Sequence, residues 1–284
     1  MECSLGVKIV TDSTSDISPE VADELGIVVV PSYVRFGDEL YRDGIDIRDI
    51  ELYDKLAKAE VHPTTSEPTP ADFANVYSDC SKAAESIISI HISAKISRIY
   101  DSANQGKSIA RGTLRIGVLD SSLVSVGLAL VVMFAARLAK AGEGFEDILE
   151  KTQQAIKQIR MLGLFDTMRG LVFSDRVGTG ITALADVANA KPLLTVKDGV
   201  LIRAGLARSY PEGVRKLIEF VDDNLPNAQD LAIAHSVVPE RAHELKERFS
   251  SAFAEDSIYV AQLGAALGVH SGPRALVVAL RRNN

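Results

Sequence analysis

The amino-acid sequence predicts an α/β protein of two domains: a parallel sheet flanked by helices over residues 1–160, and a mixed α/β domain over residues 161–284. Three observations carry this reading. Through the first half, short β-branched apolar runs alternate with segments of helical length, the pattern of βα units whose parallel sheet is covered on both faces. Several of these runs end in hydroxyl or carboxylate clusters: Val7–Val10 before Thr11 to Asp16, Ile87–Ile92 before Ser93, and Ile116–Leu119 before Asp120, Ser121 and Ser122. Beyond residue 160 the pattern changes to a hairpin, Leu193–Val196 and Val200–Ile202 about Lys197-Asp198-Gly199, followed by crossover helices.

Each element has a local cause. Ser18 caps a helix that has Pro19 in its first position and Gly26 at its end. Ile27–Val30 is a buried strand by type, and Gly37 and Gly44 mark turns. Ile50–Ala59 is a short amphipathic helix, and Pro63 and Pro68 bracket a loop holding Thr64, Thr65, Ser66 and Glu67. Thr69, Pro70 and Asp72 open another helix. Ser86–Ile92 is a strand, with a helix expected from Ser93 to about Arg111. Arg115–Leu119 is a strand, followed by an Ala/Leu-rich helix ending near Gly142. A long helix over Gly144–Arg160 carries Phe145, Ile148, Leu149, Ala155, Ile156 and Ile159 on one face. In the second domain, helices are expected over Pro211–Asn224 and Pro239–Phe253, and strands over Asp230–His235, Ser257–Leu263 and Ala275–Leu280.

Composition narrows the function. With 284 residues, 46% hydrophobic and 24% charged, the chain can bury a sizeable core. A net charge of -7 with no Lys/Arg tract argues against nucleic acid as a partner, and the absence of Trp argues against base-stacking platforms. Cys3 and Cys80 form no metal or redox motif, which fits reduced thiols in a cytoplasm. No secretory signal is expected, and the apolar run Val124–Ala136 is too short to span a bilayer, so it reads as a core helix.

In an open parallel sheet, ligands bind at the carboxyl ends of the strands. A crevice ringed there with hydroxyls and helix N-termini suits a small anionic head group such as a carboxylate. Thr65 and Ser66 stand together between two prolines, and Ser93 and Ser97 lie four residues apart, able to face one side of a helical start. Each hydroxyl taken alone reads first as a cap or turn former. Their joint placement after successive strands points to ligand binding. Bond-breaking chemistry has less support. The sequence has no G-x-S-x-G elbow, no H-E-x-x-H among its 5 histidines, and no Walker A motif, and Gly178-Thr179-Gly180 follows no convincing strand.

These residues form a pattern that resembles the DegV family of bacterial fatty-acid-binding proteins. The resemblance runs through Ile9 to Asp16, Val30-Pro31, Phe36 to Glu39, Tyr41 to Gly44, Thr65-Ser66-Glu67-Pro68 with Phe73, Ile90 to Ser97, Asp120-Ser121, Lys191 to Leu194 and Gly264 to Pro273. It implies a two-domain DegV-like fold with a long-chain fatty acid held between the domains and no other cofactor or metal. It also implies no catalysis by this chain, but presentation of the carboxylate to a separate ATP-dependent fatty acid kinase subunit. By position, Thr65 and Ser97 are the foremost carboxylate contacts, with Ser66 and Ser93 beside them and Arg176 and His270 near the head group. Arg98-Ile99, Asp175, Ala265 and Arg274 depart from the family's usual residues. Two alternatives stay open: an acyl ester hydrolase with Ser97 or Ser93 as nucleophile and His270 as base, and a sensor of another small carboxylate.

Overall fold

The computed structural model describes residues 6–56, 58–59, 61–110, 114–167 and 190–283. The first sheet is built from the apolar runs: β1 (Val7–Asp12), β2 (Ile27–Val30), β6 (Ser86–His91) and β7 (Arg115–Asp120), in the order β2-β1-β6-β7 and parallel throughout. Helices α1 (Pro19–Leu25), α3 (Pro70–Cys80), α4 (Ile99–Ile109) and α6 (Phe145–Gln158) accompany it. Ser18 caps α1 through Val21 N–H at 3.3 Å, and Thr69 with Asp72 forms a reciprocal capping box on α3.

The second sheet joins β8 (Ile159–Leu164), β9 (Lys191–Lys197), β10 (Val200–Ala207), β11 (Ala228–His235), β12 (Ile258–Gln262) and β13 (Leu276–Arg282), in the order β10-β9-β8-β13-β11-β12. Only the β11–β12 pair is parallel, so this half is mixed α/β as expected. Its helices are α7 (Tyr210–Asn224), α8 (Pro239–Phe249) and α9 (Ala265–Ser271).

Helix α5 (Val126–Lys140) explains the long apolar run. It packs against β1 of the first sheet and against β11 and β13 of the second, so it is apolar nearly all round. Ten of its residues are buried, and one continuous apolar core therefore runs through both halves.

Several elements differ from the sequence expectation; the strands β3 (Tyr33–Phe36) and β4 (Glu39–Arg42) were not foreseen, and the helix expected over Pro239–Phe253 ends at Phe249. Thr64–Ser66 is a strand, β5, not a loop; it joins β3 and β4 in a small antiparallel sheet ordered β4-β3-β5. The segment Ser93–Arg98 is a run of turns, and α4 begins only at Ile99. Ser97 N–H still donates to Ser93 C=O at 3.0 Å, so the two serines remain one turn apart. The helix expected to reach Arg160 stops at Gln158, because Ile159 opens β8, which pairs with β13 on one side and β9 on the other. Ladder pairing on both edges overrides the helical spacing of Ile156 and Ile159. Finally, α9 lies where no element was expected, and α2 (Asp49–Leu56) packs against it.

Candidate functional site

A cavity of about 940 Å³, its mouth included, lies between the two sheets and the small β3–β5 sheet. Its walls are largely apolar: Ile92, Ile96 and Val124 from the first half, and Met161, Phe165, Leu194 and Leu201 from the second. Thr65, Ser66, Ser97 and His270 all line it, together with Thr14, Ser32, Ser125, Thr195 and Ser271. Glu67 is the single carboxylate side chain among the lining residues, and no Lys or Arg lines it among the described residues.

Thr65 and His270 are brought together by long-range contacts. Strand β5 pairs with β3 in a register that sets Thr65 opposite Val34. From there Thr65 Oγ1 lies 2.8 Å from His270 Nε2, which α9 carries near its C-terminus. Two buried carboxyl groups hold the other end of α9. Asp16 Oδ1 accepts from Gly264 N–H at 2.8 Å, and Asp43 Oδ1 from Ala265 N–H at 2.7 Å. Ser125 donates to Asp16 at 2.6 Å and Ser13 to Asp43 at 2.7 Å. Loss of hydration pushes the Asp16 carboxyl up to about 8 and that of Asp43 up to about 6, against the pull of these hydrogen bonds. The acidic N-terminal cluster and the Asp43-Gly44 turn are thus the fixtures that place His270.

Ser93 is deployed differently from Thr65 and Ser97. It is fully buried, does not line the cavity, and donates to the Gly199 carbonyl at 2.6 Å. Lys95 Nζ donates to the Asp198 carbonyl at 2.8 Å. These two bonds fasten the tip of the β9–β10 hairpin onto the first half, so that Leu194, Thr195, Val196 and Leu201 close over the cavity. Arg176 lies outside the described residues.

A Ser-His-Asp constellation does exist, but not where the hydrolase alternative needs it. Tyr77 OH donates to Ser89 Oγ at 2.9 Å, Ser89 Oγ is 2.6 Å from His91 Nε2, and His91 Nδ1 is 2.9 Å from Asp12 Oδ2. Ser89, His91 and Asp12 are each 0% exposed, and none of them lines the cavity. A nucleophile sealed in a strand interior meets no substrate, so this chain is a satisfied buried polar network. At the cavity itself, the 2.8 Å bond of His270 Nε2 is to Thr65 rather than to Ser97 or Ser93. No group of three or more metal-ligating side chains occurs among the described residues, and no helix among them is long and apolar enough to cross a membrane.

Sequence reasoning passed over Ser32, Glu67, Asp16 and Asp43 as site residues. Ser32 carried the same signal as the residues it found, a hydroxyl just past the apolar run Ile27–Val30, with Pro31 between. The roles of Asp16 and Asp43 depend on partners more than 220 residues away and leave no local mark.

The family model DegV (uncharacterised protein, DegV family) matches residues 6–283. A DegV domain-containing protein of Deinococcus radiodurans is 31% identical over 279 residues, spanning 97% of this chain and 98% of that protein. Among solved structures, a DegV family protein from Thermus thermophilus, described by its fatty acid binding, superposes with a TM-score of 0.89 at 28% identity, covering 98% of this chain and 100% of that one. Bacillus subtilis DegV, described as a fatty acid binding protein, gives 0.87 at 25% identity, covering 99% and 100%. A stearic acid-binding protein from Eubacterium ventriosum gives 0.86 at 25% identity, covering 97% and 98%. With its family model matched from end to end and its two-sheet architecture shared with these structures, the chain belongs to the DegV family.

Proposed function

We propose that this chain binds a long-chain fatty acid in the cavity between its two halves and presents the carboxylate to a separate ATP-dependent fatty acid kinase subunit. The observation that carries the reading is the make-up of the cavity: apolar side chains from both halves, with the hydroxyls of Thr65, Ser66 and Ser97 and the His270 imidazole among its polar groups. The fatty acids described for the related structures support it.

The division of labour follows from the residues. Thr65 and Ser97 hold the carboxylate with hydroxyls, Ser66 stands beside them, and His270 acts through Thr65: with Nε2–H donating to Thr65 Oγ1, the hydroxyl proton of Thr65 is left for the carboxylate. Arg176, by family resemblance, stands at the head group or meets the kinase. Each hydrogen bond to the charged group contributes about 1.5–3 kcal/mol. The tail adds about 0.8 kcal/mol per buried methylene, so affinity is dominated by chain length. A carboxylate held by neutral hydroxyls remains ionised and open to an incoming phosphoryl donor. The chain itself supplies binding and orientation, and no catalytic step.

The test is mass spectrometry of an organic extract of protein purified without added lipid. A long-chain fatty acid at about one per chain is the expected result. An empty extract, followed by no uptake of added acids from C12 to C18, would overturn the reading.

A further inference from the structure

We infer that Ser32 is an additional head-group donor, aimed at the ligand's carboxylate alongside Thr65. The inference rests on the fatty-acid reading above and adds a residue to it.

Ser32 is 3% exposed, and its hydroxyl has no hydrogen-bond partner among the described residues. Buried hydroxyls are nearly always paired, so an unpaired one needs an explanation. Other buried side-chain atoms share this condition, among them Ser15 Oγ, Thr152 Oγ1 and Tyr210 OH, yet Ser32 alone of them lines the cavity.

The residue is also fixed in place. Its N–H donates to Ser13 Oγ at 3.0 Å, and its carbonyl accepts from Asp43 N–H at 2.8 Å. Ser13 in turn donates to Asp43 at 2.7 Å, closing a ring around the Ser32 backbone. Ser32 stands just before β3 and lines the same cavity as Thr65 and His270. Two residues on, Val34 pairs with Thr65 and is buried in the cluster that holds Ala265, Ala266 and Val269 of α9, so this stretch of chain runs past the helix that carries His270. A rigid backbone thus holds an unspent hydroxyl beside the residues proposed to take the head group. A carboxylate oxygen supplies the missing acceptor.

The test is a cycle of protein and ligand changes: wild type and Ser32→Ala, each titrated with palmitic acid and with hexadecan-1-ol by displacement of a fluorescent fatty acid. A bond to a charged acceptor is stronger than one to a neutral hydroxyl, so the acid is expected to lose about tenfold or more in affinity and the alcohol clearly less, about fivefold. The empty variant is expected to melt no lower than wild type, since no bond is removed. Unchanged acid affinity, or equal losses for acid and alcohol, would overturn the inference while leaving the fatty-acid reading intact. A lower melting temperature of the empty variant would overturn it too, by placing the hydroxyl in a structural bond. Wild-type protein that binds neither ligand would remove both readings together.

Discussion

Thr65 and His270 are 205 positions apart in the chain, and their side chains meet at 2.8 Å in the wall of the cavity. The contact joins β5 of the small sheet to α9, so the head-group end is made by elements from opposite ends of the sequence. Neither residue is placed by its own neighbours alone. Thr65 is set by pairing with β3, and His270 by the hold of Asp16 and Asp43 on the start of α9.

Removing the foremost hydroxyls tests this arrangement. Thr65→Val with Ser97→Ala keeps the volume of the first side chain and removes two donors. Long-chain acid binding is expected to weaken by about a hundredfold or more, at about 1.5–3 kcal/mol per bond to a charged group. Circular dichroism should show an intact fold. Unchanged affinity in a fluorescent-acid titration would count against a carboxylate seated here.

Arg98 pairs with Glu67, the one carboxylate among the described residues that line the cavity. Its Nε and Nη2 both reach Glu67 Oε1, at 3.0 and 2.9 Å, with the Arg98 side chain 81% exposed and that of Glu67 22%. An ion pair this exposed adds little to stability. It does balance the carboxylate that lines the cavity. Arg98→Ala is therefore expected to leave the melting temperature unchanged and to weaken acid binding several-fold at low salt, with the loss shrinking as salt rises. A neutral long-chain alcohol should bind as before. An acid affinity independent of both the substitution and the salt would show that Glu67 does not sense the head group.

The hairpin tip offers a different check. Gly199 has φ +78°, a conformation that disfavours side chains, and an added Cβ would stand 2.7 Å from Ser93 Oγ. Gly199→Ala should cost about 1–3 kcal/mol in stability through backbone strain. It should also speed ligand release, because the displaced Ser93 no longer fastens the hairpin over the cavity. Stopped-flow displacement reads the release rate, and a rate equal to wild type would show that the tip contact does not close the site.

Much of the fold is legible locally. The β-branched runs of β1, β2 and β6, the caps at Ser18 and Thr69, and the Asp198-Gly199 turn each announce themselves in a few residues. The all-round apolarity of Val126–Ala136 was readable as burial, though not as burial between two sheets. What escaped depends on distant pairing. Thr64–Ser66 is three residues long and becomes a strand only because Tyr33–Arg35 lies alongside. Ile159 satisfies the helical period of α6, and only the neighbours β9 and β13 reveal it as the start of a strand. The same holds for the site: the hydroxyls at strand ends could be seen, whereas the buried aspartates that position His270 could not.

Those aspartates make stability depend on pH in a definite direction. Burial holds the Asp16 carboxyl up to about 8 from an ordinary value of 3.8, with Asp43 and Asp12 adding repulsion and Gly264 N–H and Ser125 opposing. Between these two values the folded protein keeps a proton that the unfolded chain has lost. The stabilisation is fully present below about pH 4 and is lost as pH rises through about 8. Asp43, raised to about 6, adds the same slope over a narrower window. Asp16→Asn mimics the protonated side chain and can still accept from Gly264 N–H. The variant is expected to show a flatter stability profile from pH 5 to pH 9, each unit of pKa difference amounting to about 1.4 kcal/mol. Its advantage over wild type should be greatest at the alkaline end. Urea unfolding at a series of pH values reads this directly, and parallel profiles for the two proteins would mean that Asp16 is ionised in the folded state throughout.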